Sequence, residues 1–349
     1  MAHHSRVRFR LRRRQRGTLF LNCLLLGLIL LFLVWGIVLC GREQPGADIS
    51  QGSAAPPVMT VESPVTVRVF DHERNRIVPM ELETYVCRVV AAEMPASYEM
   101  EALKAQAVAA RTLAAEALVR GSRSCAAGSD MCTSADHCQA FDSETACRDK
   151  WGSEYDFWWG RVTEAVASTA GIIMTYEGEP IEVFYHAVSG GRTEDVENVF
   201  SESLPYLRSV PSEGEEQERN FRQQVSYSPE DFREKIKRYF DIALPGGSLS
   251  DSVRILRYYE SGRAREVQLG KRTVAAVELR RALGLPSTQF RIIFTASGVV
   301  FDCQGYGHGV GMSQAGANVM ARAGSDFRDI LTHYYTGISL ETIDAANVS

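Results

Sequence analysis

From Ala102 to Ala117 the chain reads ALKAQAVAARTLAAEA, and a helix this rich in alanine constrains everything around it. Alanine is the strongest helix former and presents almost no side chain, so neighbouring backbone can approach closely. The helix is expected from about Tyr98, with Ser97 as N-cap and Glu99 and Glu101 in the first turn, where the dipole favours acids. Just upstream, Leu82, Tyr85, Val86, Val89 and Val90 recur every three or four residues and predict another helix. It must end near Met94, because Pro95 disfavours helical geometry in the residue before it.

Glu93 then stands at a helix C-terminus, whose partial negative charge disfavours an ionised carboxylate by roughly 0.3–1 kcal/mol. A carboxyl with a raised pKa is what a general acid needs. On the alanine-rich helix Lys104 and Arg111 are seven residues apart and project from one face, with Gln106 pointing elsewhere. Spacing alone reads that face as a solvated helix side.

The N-terminal segment argues for a compartment. Residues 1–17 carry Arg6, Arg8, Arg10, Arg12, Arg13, Arg14 and Arg16 without an acid, and Thr18 to Cys40 is an almost unbroken apolar run. About 20 such residues span a bilayer, so 18–40 predicts a single-pass membrane anchor in the cell membrane. The arginines keep residues 1–17 cytoplasmic as a basic leader and leave the remaining chain extracytoplasmic. A cleaved signal peptide would have an apolar region of only about 7–15 residues with small residues before the cut. Ahead of a membrane span, nucleic-acid binding by the leader is the weaker reading, and no nucleic-acid partner is expected. Residues 41–63 shift to Gly, Pro, Ala, Ser and Gln without periodicity and read as a flexible linker. The net charge of −5 over 349 residues says little about partners, and the 45% apolar content is enough for a core.

Residues 64–345 are expected to form an α+β domain of helices and antiparallel sheet. Val65 to Phe70 alternates as a short strand, followed by a turn at 71–76 and by Ile77-Val78-Pro79. From Gly121 to Trp151 the sequence turns small and polar, and no apolar pattern runs through it, so covalent or metal cross-links are expected to hold it. Cys87, Cys125, Cys132, Cys138, Cys147 and Cys303 lie beyond the apolar run. Their even number fits disulfides, while His137 beside Cys138 fits a metal, and spacing leaves both open. A helix is expected over 158–169, then strands at Ile172–Tyr176 and Ile181–Val188 joined by a turn at 177–180. His186 reads as a packed core histidine, leading into Ser189-Gly190-Gly191-Arg192-Thr193, where adjacent glycines fit equally a backbone turn that brings Ser189 to a ligand and a plain sharp polar turn.

Residues 226–300 read as an accessory lobe or insertion, with a helix starting at Ser228-Pro229, strands at 253–259 and 265–269, and a helix over 275–283. Beyond it, Gly305, Gly307, Gly309 and Gly311 alternate with Tyr306, His308, Val310 and Met312. An extended chain of that pattern has one bare side, against which a sugar or another strand could lie closely. No GxGxxG or Walker pattern is present, which excludes the usual nucleotide loops. Helices at 314–323 and 326–335 close the domain.

Several of these stretches carry a resemblance. EMP followed by EALKAQAVAARTLA resembles the signature of the sporulation stage II protein D family, whose relatives include the amidase enhancers of cell-wall hydrolases. The HCQ-aromatic motif from His137, YH and SGG followed by Thr193, LPYLRSVP at 204–211 and GYGHGVGMSQ at 305–314 extend the resemblance from about Val65 to Leu340.

The resemblance implies an extracytoplasmic lytic transglycosylase, a lyase of peptidoglycan, active in cell-wall remodelling during sporulation engulfment. It would cleave the MurNAc-GlcNAc bond of amidase-denuded glycan strands and leave 1,6-anhydro ends. Glu93 would be catalytic, and Lys104, Gln106, Arg111, Ser189, Gly190, Thr193, Tyr306, His308 and Gln314 would bind substrate. One structural zinc ion would be held by Cys132, His137 and Cys138. Cys125 would replace a histidine that zinc-bearing members carry six residues before the first of these cysteines, where this chain has Ala126. Implied partners are glycan strands, a cell-wall amidase and other engulfment membrane proteins. Three alternatives remain: a non-catalytic peptidoglycan-binding module that recruits or stimulates an amidase, a zinc peptidase, which the missing HExxH disfavours, and a purely structural bridging domain.

Overall fold

The alanine-rich segment forms the helix on which the others pack. In the computed structural model, residues 65–343 are described except 122, 124, 125 and 201, so the predicted leader, anchor, linker and Cys125 lie outside the described residues. No helix among the described residues is long and apolar enough to cross a membrane. The antiparallel hairpin of β1 (Thr66–Asp71) and β2 (Arg76–Glu81) leads directly into α1 (Leu82–Glu93), and α2 (Met100–Arg120) follows Pro95. The alanines of α2 are buried all round, against α1 and later elements, so close approach on every side replaces an amphipathic stripe.

Two expectations about α2 are corrected. Its N-cap is Glu99 and not Ser97, because Tyr98 N–H is taken by Pro95 C=O at 2.9 Å in a turn ahead of the helix. The Lys104/Arg111 face is not solvated. Arg111 is fully buried and donates to both carboxylate oxygens of Glu83 at 2.8 and 2.6 Å, while Lys104 pairs with Glu101 at 2.7 Å.

The 121–151 stretch is held partly by packing, contrary to expectation. β3 (Met131–Cys132) adds parallel to β1. An unpredicted α3 (Glu144–Trp151), capped by Ser143, buries only Cys147, which is why its apolar pattern is invisible in sequence. α4 (Tyr155–Ala167) starts three residues before Trp158 and ends before Thr169. The 172–188 hairpin is also cut short. Across the turn β4 (Ile172–Tyr176) meets only the two residues of β5 (Glu179–Pro180), and β6 (Tyr185–His186) leaves to pair parallel with a strand near residue 312. β7 (Gly191–Arg192) and β8 (Pro211–Ser212) join the segment after it.

Residues 222–304 build a second hydrophobic cluster around Phe232, Ile236, Val267, Leu279 and Phe301. It contains β9 (Arg222–Tyr227), α5 (Pro229–Phe240) capped by Ser228 as expected, β10 (Val253–Tyr258), β11 (Ala264–Leu269), β12 (Arg272–Ala275), α6 (Ala276–Leu283), β13 (Gln289–Thr295) and β14 (Gly298–Gln304). Its strands form the antiparallel sheets β10-β11-β12 and β13-β14-β9. The β9–β14 pairing carries the lobe a few residues beyond 226–300 at each end.

The glycine block is not an extended strip. Gly305, Gly307, Gly309 and Gly311 have φ of 78°, 118°, 88° and 69°, so the chain turns repeatedly in a region that L side chains rarely enter. What approaches the bare backbone is the protein itself: a Cβ on Gly311 would lie 2.0 Å from Phe184 O, and one on Gly307 2.7 Å from His186 Cβ. β15 (Met312–Ser313), the parallel partner of β6, then opens into α7 (Gln314–Arg322) and α8 (Phe327–Tyr334), the latter with Asp326 in a capping box. β16 (Ser339–Thr342) returns along β4.

Candidate active site

The joint between α1 and α2, the Cys/His loop and the glycine block meet at one cleft of about 500 Å³, lined by Glu93, Tyr185, His186, Tyr306, His308 and Gln314 among others. Glu93 is the last residue of α1, and Met94 turns to extended geometry behind it. Its carboxylate accepts Ala140 N–H at 2.6 Å and Gln314 Nε2–H at 3.5 Å. Burial drives the carboxyl pKa above its ordinary 4.5, and the bonds from Ala140, Gln314 and Tyr185 only partly oppose it. Desolvation supplies a shift in the direction that the helix end was expected to give.

Amides and phenols surround this carboxyl. Gln314 Nε2 also reaches Gln106 Oε1 at 3.3 Å, so Gln106 points towards the site although helical spacing sent it elsewhere. Tyr185 donates to Gln139 Oε1 at 2.8 Å, and Gln139 Nε2 donates to Tyr85 Oη at 2.9 Å. Burial holds both phenols protonated, raising each pKa. Tyr85, Gln139, Ala140 and Tyr185 were not among the expected site residues. Gln139 follows His137-Cys138 directly and Tyr185 opens the YH motif, and those were the available signals.

The two histidines lie beside the cleft as neutral rings. His308 Nδ1 accepts Val310 N–H at 3.1 Å, and burial with the Arg280 and Arg263 charges pushes its pKa down to about 4. Edge contacts with Phe184 and Phe200 fix its ring at centroid distances of 5.9 and 5.5 Å. His186 is buried, as read. Its Nδ1 lies 3.1 Å from Val310 O and so acts as the donor, while Nε2 has no partner among the described residues. Tyr306, 45% exposed, stands at the mouth.

The structure does not bring the remaining expected residues to this cleft. Arg111 lies in the core with Glu83, and Lys104 with Glu101. Ser189 donates its N–H at 2.7 Å and its hydroxyl at 2.9 Å to Glu215, and Gly190 N–H reaches the same carboxylate at 3.3 Å. Thr193 Oγ1 accepts Val210 N–H at 2.8 Å. These three residues tie loops together.

Cys132, His137 and Cys138 form a cluster able to hold a metal ion. The sulfurs are 3.3 Å apart, and His137 Nδ1 lies 3.7 and 3.5 Å from them. Those spacings are close to the roughly 3.5–3.8 Å edges of a tetrahedron built on Zn–S bonds of about 2.3 Å and Zn–N bonds of about 2.0 Å. They are too long for a disulfide, whose sulfurs sit about 2.05 Å apart. Gln139 and Ala140 follow this cluster directly, so it sets the backbone that holds Glu93 and the two tyrosines.

Glu93 and the Cys/His loop lie within residues 71–176, which match the stage II sporulation protein (SpoIID) family model, while Tyr185, His186 and the glycine block lie beyond them. Over 299 residues the chain is 34% identical to stage II sporulation protein D of Bacillus amyloliquefaciens, covering 85% of this chain and 84% of that protein. The protein of that name from Bacillus subtilis (strain 168) is 32% identical over 81% of each chain. The chain therefore belongs to the stage II sporulation protein D family. A more distant relative, the amidase enhancer of Bacillus subtilis (strain 168), is 27% identical over 72% of this chain and 39% of its own length.

Proposed function

We propose that the protein is a lytic transglycosylase that cuts the MurNAc-GlcNAc bond of peptide-poor glycan strands during the wall remodelling of sporulation. One observation carries this reading: Glu93, with its pKa raised, is the one carboxyl among the described residues lining the cleft. Glycosidases that use water normally employ a spaced pair of carboxyls. A single carboxyl suits an intramolecular route. Glu93 gives its proton to the glycosidic oxygen as the bond from C1 of the muramyl ring breaks, then takes a proton from the C6 hydroxyl as that oxygen closes on C1. No water is consumed, and the product is a 1,6-anhydro ring. Gln314, Gln106 and Tyr185 orient the carboxyl, and Tyr306 and His308 line the place where the sugar would lie.

A zinc ion bound by Cys132, His137 and Cys138 would lock the loop and supply no reacting water, and Cys125 is the candidate for the fourth ligand. Residues 18–40 would hold the domain on the outer side of the cell membrane, with 41–63 giving it reach. The likeness to an amidase enhancer supports a second reading, in which the domain binds glycan and recruits an amidase without cutting.

The test is digestion of amidase-treated glycan strands by the full chain in detergent, with Glu93→Gln in parallel and products read by mass spectrometry. Anhydro-ended sugars from the wild type alone are expected. Binding without cleavage by either protein would favour the recruiting module, and reducing ends would exclude the intramolecular route. For the metal, elemental analysis of the purified chain should find about one zinc per chain, as four-ligand structural sites hold. Cys132→Ser should lose it together with several degrees of thermal stability.

A further inference from the structure

The sheet β13-β14-β9 turns Phe290, Phe301 and Cys303 into the second hydrophobic cluster. Strand alternation therefore sends Gln289, Arg291, Asp302, Gln304 and Arg222 to the other side. The register sets Gln289 beside Gln304, Arg291 beside Asp302 and Arg222 beside Gln304. With Tyr258 and Gly262 of the β10–β11 hairpin, these residues line a groove of about 480 Å³.

A solvated outer face is the ordinary explanation of such a row, but three features depart from it. Tyr258 leaves 55% of its surface exposed at the groove, an aromatic plate with a polar tip. Asp302 pairs with Arg222, whereas Arg291 has no ion-pair partner among the described residues, so the groove keeps a net positive charge. The groove is also joined through the chain to a segment that lines the Glu93 cleft. Gln289 Nε2 donates to Gly190 O at 3.2 Å, and Gln304 is followed by Gly305 and the cleft-lining Tyr306, at most about 7 Å of chain away.

We propose that this groove is a second carbohydrate subsite, taking further rings of the strand whose scissile bond lies at Glu93 and gripping a ring-borne carboxylate with Arg291, while Arg222 stays bound to Asp302. The inference rests on the glycan reading above. A guanidinium fork matches a carboxylate in plane and charge. A muramyl ring freed of its peptide offers such a carboxylate, and one still carrying a peptide offers a neutral amide in its place. The accessory lobe would thus select peptide-free stretches.

The test measures binding, in the full chain carrying Glu93→Gln, of labelled peptide-free strands and of chitin oligosaccharides, which have no carboxylate. Adding Arg291→Ala should weaken strand binding about tenfold, the loss of one charge-assisted hydrogen bond, and leave chitin binding unchanged. Tyr258→Ala should weaken both. Arg254→Ala, on β10 outside the groove, serves as the control and should weaken neither. Strand binding unaltered by Arg291→Ala and Tyr258→Ala overturns the subsite even if the wild type cleaves. Binding lost in those variants while the wild type fails to cleave leaves the subsite standing and removes the transglycosylase reading.

Discussion

Glu93 and Glu215 are both carboxylates drawn inward beside glycine-rich turns, and they end in opposite situations. Glu215 is fully buried and accepts the N–H and hydroxyl of Ser189, Gly190 N–H and the Ser212 hydroxyl, within reach of the buried Arg263 charge. Nothing of it remains for a ligand. Glu93 has one short bond, from Ala140, a long contact to Gln314, a further interaction with Tyr185, and an open cleft in front. Both glutamates lie near family-like motifs, so a motif alone does not separate a residue that builds the site from one that acts in it. Satisfaction does: a buried polar group with a full set of partners is architecture, and one left short of partners facing a cleft is available for chemistry.

Substitution at the two positions should break the comparison most sharply. Glu93→Gln is expected to lower the cleavage rate by about 10²–10⁴-fold, the usual worth of a general acid. The thermal midpoint should hold or rise, because a neutral amide removes a desolvated carboxyl. Glu215→Ala should do the reverse, costing several kcal/mol in urea unfolding, at roughly 1–3 kcal/mol for each buried donor of Ser189, Gly190 and Ser212 left without its acceptor. Whatever folds should keep the Glu93 chemistry. If Glu215→Ala instead folds normally and loses cleavage, the Ser189 loop belongs with the substrate.

The difference was only partly legible in the sequence. Pro95 and the apolar spacing before it fixed where α1 ends, and with that the position of Glu93. Ser228-Pro229 and Asp326 marked helix starts correctly because capping is local chemistry. Orientation about α2 was not legible. In a helix packed on all sides, periodicity cannot say which face meets the site, so spacing alone points Gln106 away from it and leaves Arg111 on a solvated side. The glycine block misled for a related reason: alternation in sequence looks like a strand whether φ is negative or positive. Ser189 looked ligand-facing because its partner, Glu215, lies in a charged loop with no pattern of its own.

Acid sharpens the comparison at the level of the histidine. His308 has its pKa pushed down to about 4 from an ordinary 6.5 by burial and by Arg280 and Arg263. Between those values the unfolded chain binds more protons than the folded one, so the neutral ring's contribution is complete above pH 6.5 and is lost as pH falls towards 4. The ring is partly open to the cleft, which limits the effect to about 1–2 kcal/mol. Urea midpoints at pH 7 and pH 4.5 should therefore fall further for wild type than for His308→Gln. Equal falls would mean that the ring titrates freely and belongs with the solvent-facing groups.

The smallest effect tests whether availability at Glu93 depends on how its neighbours are held. Ser313 is buried, and its hydroxyl accepts Gly316 N–H at 3.2 Å as the N-cap of α7, whose first residue is Gln314. Ser313→Ala should cost about 1 kcal/mol of stability, as N-cap losses do. It should also loosen the amide that spans Glu93 and Gln106, lowering kcat several-fold with little change in KM, because orientation is what is lost. Glu93→Gln separates rate from stability; Ser313→Ala should couple them weakly. If stability falls by the cap's worth while kcat holds, Gln314 is not orienting the carboxyl, and Ala140 N–H with Tyr185 sets the geometry at Glu93.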